Sequence, residues 1–212
     1  VEDATGAAIL TRRKEDRVLD LRGRSRVAPI LDPIAVGLSK LKLTPTAVTL
    51  LGLAVTFGGA VLIANREYVW GAVVAGIGAL LDALDGPLAR YQGTASIRGA
   101  FIDTMSDRFG EVAIWAGLAF SRRDDEIALM LTIFALAFSL LTPYVRAKAE
   151  SWGAEGRGGW MGRAERVILT LAGIGLAGFG LPTLIPMLWV FVVLSGFTVG
   201  QRIWRTWHQL EA

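Results

Sequence analysis

Four aspartates stand inside apolar sequence, Asp82 and Asp85 in one run and Asp103 and Asp107 in the next. A charged side chain at mid-bilayer costs about 2.5 to 3.5 kcal/mol on insertion scales, so something must neutralise them. At about 100° per residue, Asp82, Asp85, Gly86 and Ala89 fall within about 100° of one another on a helix, and Gly99, Asp103 and Asp107 share one face of the next. Two such faces, each with carboxylates beside residues almost without side chains, form a pocket of hard oxygen ligands with space for a bulky group. Magnesium or manganese held together with a phosphate suits that donor set best. The plainer alternative is salt bridging to Arg90, Arg98 or Arg108. Arg108 and Glu111, three apart, read as a structural pair of that kind.

The elements that carry these residues follow from composition. Hydrophobic residues make up 53% of the 212 and the mean hydropathy is +0.48, whereas soluble domains hold about 45 to 50% apolar residues even with glycine counted. An all-α integral membrane protein is expected. Apolar stretches recur at 48–64, 69–81, 114–120, 127–144, 167–181 and 184–203, and with polar helix ends added they approach the ~20 residues that cross a bilayer. Six transmembrane helices are predicted, in a membrane domain over 43–207 with a short tail at 208–212. The stretch 167–181 is short for a crossing, which leaves a buried core helix as its alternative.

Ahead of the first crossing, Val27, Ile30, Leu31, Ile34, Leu38 and Leu41 recur at helical spacing. They predict an interfacial amphipathic helix over 26–42, or else a simple linker. Residues 1–25 are polar and of mixed charge, a flexible lead or the remainder of a larger soluble portion, and the missing initiator Met suggests a trimmed beginning. Thr44 followed by Pro45 suits the start of the first crossing helix. The stretch 151–162 holds five glycines between basic flanks and reads as a short mobile loop where a polar substrate enters.

Basic residues set the orientation. Nine lysines and arginines precede the first span, and Arg90, Arg98, Arg157, Arg163, Arg166, Arg202 and Arg205 fall on the same side of an even number of crossings, leaving Arg66, Arg122 and Arg123 opposite. By the positive-inside rule both termini and the carboxylate motif face the cytoplasm. The chain has no cysteine, which excludes disulfides and thiolate metal sites. No nucleic-acid partner is expected.

The run Asp82, Asp85, Gly86, Ala89, Arg90, Gly99, Asp103, Asp107 resembles, at every one of its eight positions, the signature of the CDP-alcohol phosphotransferase family. The likeness extends over about 27–207. It implies an enzyme that transfers the phosphatidyl part of a CDP-diacylglycerol-type lipid to an alcohol and releases CMP. It further implies that Asp82, Asp85, Asp103 and Asp107 hold two Mg2+ or Mn2+ ions per active site, with Asp107 acting as general base. Thr46, Thr49, Gly86, Ala89, Arg90, Ser96 and Gly99 would meet the CDP-lipid. For Thr46, Thr49 and Ser96, capping or satisfaction of helix backbone is the competing reading. The family likeness also implies a homodimer.

Arg146, Lys148, Arg163 and Arg202 end or open helices on one side of the membrane. Cytoplasmic helix ends are commonly basic without any substrate, but as a group these residues suit a phosphomonoester acceptor. Here the chain is similar to the subgroup of phosphatidylinositol-phosphate synthases of actinobacteria and archaeal relatives, through Tyr144, Arg146, Ala147, Lys148, Ala149, Glu150, then Gly158, Gly159, Arg163, Glu165, Arg166, then Gln201 and Arg202. That resemblance implies inositol 1-phosphate as acceptor. Glycerol 3-phosphate, giving phosphatidylglycerophosphate, is the alternative, and a cation transporter is the reading from another class, since intramembrane carboxylates serve ion transport too.

Overall fold

The structure, a computed structural model, describes residues 33–156 and 158–210. Among them there are seven helices and no strand. They are α1 (33–40), α2 (Pro45–Ala64), α3 (Tyr68–Tyr91), α4 (Ile97–Ser121), α5 (Glu126–Ser151), α6 (Arg163–Gly178) and α7 (Leu184–Leu210). The six long helices correspond one to one with the six apolar stretches. Four of them, α2, α3, α5 and α7, are long and apolar enough to cross a membrane. The other two fall short for different reasons: α4 carries Asp103, Asp107, Arg108 and Glu111 along its length, and α6 has only 16 residues. The expected helix over 26–42 lies partly outside the described residues, as do 1–25 and 211–212. Within the described part, 33–40 is helical, and Ala35 packs with Val48, Leu84 and Leu88.

Local chemistry explains where the helices begin. Thr44 accepts a hydrogen bond from the Ala47 amide at 3.2 Å, with Pro45 in the first helical position. Ser96 accepts from the Gly99 amide at 3.1 Å and Asp125 from the Ala128 amide at 3.0 Å, in each case satisfying a donor that the first turn leaves free. The Ala128 amide, and then Arg122, hold the Asp125 carboxyl below its ordinary range. The stabilisation from that cap is therefore present above the usual carboxylate pKa and is lost as pH falls through the depressed one.

Glycines decide how close the helices come. A Cβ on Gly59 would stand 2.6 Å from the Ala75 amide nitrogen, and one on Gly52 would stand 2.9 Å from the Gly78 carbonyl oxygen, so α2 and α3 meet backbone to backbone. Gly117 lets α4 meet the Ala60 carbonyl of α2 in the same way. The three helices bearing Thr49, the first aspartate pair and the second are thereby drawn together. On the far side, Trp115, Leu118, Leu131, Ile174, Leu188 and Phe191 form the main core among α4, α5, α6 and α7. Many large apolar side chains face outward, among them Val61, Leu80, Ile127, Val193 and Phe101, as expected where the surrounding solvent is lipid.

The connection after α5, expected as a mobile loop, contacts α7 on either side of residue 157. Arg202 donates to the Gly158 carbonyl at 2.8 Å, the Met161 amide donates to Thr198 at 3.2 Å, and Glu155 and Gln209 exchange two hydrogen bonds. The loop is strapped along the end of α7, which runs on past residue 207 as regular helix to Leu210.

Candidate active site

Three carboxylates converge. Asp82 and Asp85 of α3 and Asp103 of α4 each present an oxygen within 4.8 Å of the others. Asp82 is buried and the other two are half-buried, and among the described residues no lysine or arginine lies within 4 Å of Asp85 or Asp103. Three like charges at this spacing in an apolar bundle repel one another and lose hydration together. A divalent cation with oxygen preference resolves both penalties, and the all-carboxylate donor set fits magnesium or manganese.

Thr49 of α2 is 2% exposed, and its hydroxyl donates to Asp85 Oδ2. Thr49 Oγ1 also lies 3.0 Å from the Pro45 carbonyl, and since one O–H serves one acceptor at a time, the charged carboxylate is the stronger claimant. Thr49 therefore orients one of the three converging carboxylates from a neighbouring helix. Outer-shell partners of this kind are worth about 10- to 100-fold in metal affinity. Thr49→Val, which keeps the shape and deletes the donor, is expected to weaken Mn2+ binding by about tenfold in an electron paramagnetic resonance titration without lipid, while Thr49→Ser stays near the parent.

Next to the carboxylates opens a cleft of about 470 Å³. Thr46, Thr49, Gly86, Ala89, Arg90, Ser96 and Gly99, the residues expected to meet the CDP-lipid, all line it, together with Asp85 and Asp103. The exposed Arg90 guanidinium lies over Gly86, where a Cβ would stand 3.3 Å from Nη1. Ser96 lines the cleft and its hydroxyl also caps α4.

Asp107 lies beside Asp82, outside the set of three, and one arginine bridges the two. Arg163, at the start of α6, donates through Nη2 to Asp107 Oδ1 and to Asp82 Oδ2, the latter at 2.8 Å, and Arg108 lies 3.6 Å from Asp107 Oδ2. Behind these residues a cavity of about 50 Å³ is lined by Asp82, Ser106, Asp107, Glu111 and Arg163. Arg108 pairs with Glu111 at 2.6 Å, and Glu111 also receives Arg166 at 3.4 Å. Sequence spacing anticipates the Arg108 pair but not Arg163 as partner of the aspartates.

The other basic residues do not converge through side-chain contacts. Arg146 pairs with Glu150 at 2.8 Å, and Lys148 lies 4.4 Å over the Trp152 ring. Arg202 donates to the carbonyls of Thr142 and Gly158, at 2.7 and 2.8 Å. No motif would reveal Arg202 as a loop strap, because its acceptors are backbone oxygens.

Residues 42–204 match the family described as CDP-alcohol phosphatidyltransferase, and the chain belongs to that family. With its apolar helices, this makes it a multi-pass membrane enzyme. The similar proteins are more specific. The phosphatidylinositol phosphate synthase of Mycobacterium marinum is 36% identical over 193 residues, covering 87% of this chain and 82% of its own. That of Corynebacterium glutamicum is 36% identical over 194 residues, 88% of each chain. The crystal structure of the Mycobacterium tuberculosis phosphatidylinositol phosphate synthase with CDP-DAG bound superposes with a TM-score of 0.79 at 34% identity, covering 85% of this chain and 94% of the other. A second crystal structure of that enzyme, in complex with manganese and citrate, gives the same TM-score of 0.79.

Proposed function

We propose that the enzyme transfers the phosphatidyl group of CDP-diacylglycerol to inositol 1-phosphate, giving phosphatidylinositol phosphate and CMP. The observation that carries this reading is the adjacency of the carboxylate triad to a cleft lined by all seven residues of the expected CDP-lipid set. The names of the similar synthases, which give phosphatidylinositol phosphate as product, support the choice of acceptor, and CDP-DAG bound in one of them supports the donor.

In this reading Asp82, Asp85 and Asp103 hold the metal, with Asp107 completing a two-ion site, and bound Mg2+ or Mn2+ supplies Lewis-acid polarisation of the diphosphate. Thr46, Gly86, Ala89, Arg90, Ser96 and Gly99 receive the nucleotide end. Arg90 offers a planar donor fork to phosphate, and Gly86 and Ala89 leave room for it. Asp107 takes the proton of the attacking hydroxyl. Arg146, Lys148, Arg163 and Arg202 hold the acceptor phosphate, for which Arg146 and Lys148 exchange exposed intrahelical contacts that are weak in water.

The reading includes six crossings in a domain over 43–207, with α4 and α6 completing the set. A buried charged face makes α4 less apolar than a lipid-facing span, and the arginines opening α6 extend its short apolar run. An interfacial helix over 26–42 is supported by the helical turn at 33–40. The basic asymmetry favours the cytoplasmic leaflet of the cell membrane for the site and for both termini, and the enzyme acts as a homodimer. The purified chain, given CDP-diacylglycerol, Mg2+ and either inositol 1-phosphate or glycerol 3-phosphate, is expected to form phosphatidylinositol phosphate on mass spectrometry of the lipids. Product from glycerol 3-phosphate alone would overturn the assignment.

A further inference from the structure

We propose that Arg163 is a specificity-determining latch: it caps Asp107 until a phosphorylated acceptor draws it away, and so favours transfer over hydrolysis of the CDP-lipid. The inference rests on the reading above of Asp107 as base and Arg163 as acceptor contact. Asp107 Oδ1 receives Arg163, and Oδ2 faces Arg108 at 3.6 Å, beyond hydrogen-bond reach, so the Arg163 guanidinium competes with an incoming hydroxyl for the oxygen it holds. Of these partners the capping side chain is the one open to solvent: Arg163 is 48% exposed whereas Asp82 and Asp107 are 11% and 10% exposed.

The backbone beneath it is pinned. Three residues on, Arg166 is buried at 5% exposure and reaches Glu111, itself four residues beyond Asp107 and held by Arg108. The contacts form two rungs between α4 and α6, one helical turn apart on each. The Asp107–Arg163 rung meets solvent and can exchange. The Glu111–Arg166 rung is enclosed, and among the described residues Arg166 Nε and Nη1 have no hydrogen-bond partner, so releasing it leaves a buried charge uncompensated. The Arg163 side chain can therefore swing while α6 stays docked.

A phosphate dianion offers a guanidinium two parallel acceptors and a larger charge than one carboxylate. Water offers neither. With the acceptor bound, its hydroxyl proton passes to Asp107 and its oxygen bonds to the phosphorus nearest the lipid. The bond from that phosphorus to the CMP oxygen breaks, and CMP leaves with the electron pair. The same steps with water would release phosphatidic acid and CMP, and the latch suppresses them.

The test measures CMP release from CDP-diacylglycerol and Mg2+, with and without inositol 1-phosphate, by the full chain and by Arg163→Gln, Arg163→Lys and the double variant Arg163→Gln/Asp107→Asn. The thermal melt and size-exclusion profile of each variant serve as the check on folding. Arg163→Gln is expected to lose about tenfold or more of acceptor-dependent transfer, the effect of deleting a charged hydrogen-bond donor, while acceptor-free CMP release rises severalfold. Adding Asp107→Asn should return that release to background, and Arg163→Lys should keep part of the suppression. Inorganic phosphate given to the parent chain should itself raise acceptor-free release. Acceptor-free release that is unchanged or lower in a folded Arg163→Gln overturns the latch and leaves Arg163 as a binding contact only. An unaltered acceptor KM in that variant, by contrast, removes Arg163 from the acceptor site and fails the underlying reading.

Discussion

Asp107→Asn is expected to lower kcat by about 10²- to 10⁴-fold, the usual contribution of a positioned base, while CDP-lipid affinity and the tightest Mn2+ site stay near the parent. The split follows from position. Asp82, Asp85 and Asp103 bring their oxygens together without Asp107, and Asp107 is not among the residues lining the 470 Å³ cleft. Asparagine keeps the side-chain shape and a carbonyl oxygen that still accepts from Arg163, so the α4–α6 contact survives. What is lost is the negative charge, and with it the capacity to take a proton. Single-turnover CMP release measures the chemical step, and binding titrations measure the rest. Turnover at the parent rate would remove Asp107 as base, and loss of Mn2+ binding in proportion to kcat would make it a metal ligand first.

The helices and the cleft were legible in the sequence because both depend on local pattern. Hydropathy marks each long helix, Thr44 and Ser96 mark two starts that their hydroxyls cap, and helical periodicity alone places Asp82, Asp85, Gly86 and Ala89 on one face. What could not be read is whatever pairs distant residues. Arg163 meets Asp107 across 56 positions and Asp82 across 81, and the positive-inside pattern that explains a basic helix end equally well conceals an arginine turned inward. Thr49 was legible as a polar residue at the site, but its donation to Asp85 across 36 positions depends on the Gly52 and Gly59 contacts that bring α2 against α3. Arg202 was legible as a basic helix end, but its strap to the loop was not: backbone carbonyls carry no sequence signal, and two of them accept from its guanidinium. The low apolarity of α4 has the same origin as the site, since Asp103, Asp107, Arg108 and Glu111 face protein partners and each other rather than lipid.

Asp103→Asn should change thermal stability with opposite sign in chelator and in magnesium. Without a divalent ion, three carboxylates with oxygens within 4.8 Å of one another repel in a medium where hydration is poor, and Asp103 has no basic partner within 4 Å among the described residues to offset this. Neutralising it removes the repulsion, so the detergent-solubilised variant is expected to melt above the parent in EDTA. With magnesium the order reverses. A ligand that binds only the folded state stabilises by about 2.7 kcal/mol at one hundred times its Kd, and the parent gains this while the variant, with one hard oxygen ligand fewer, does not. Turnover falls to background at the same time, because the triad can no longer hold the ion beside the cleft. A melting curve for each chain in each condition decides the matter. If Asp103→Asn melts below the parent in EDTA, the aspartate is held by a favourable contact of its own and the triad is not a site strained for want of a cation. If magnesium raises both chains equally, the ion binds elsewhere.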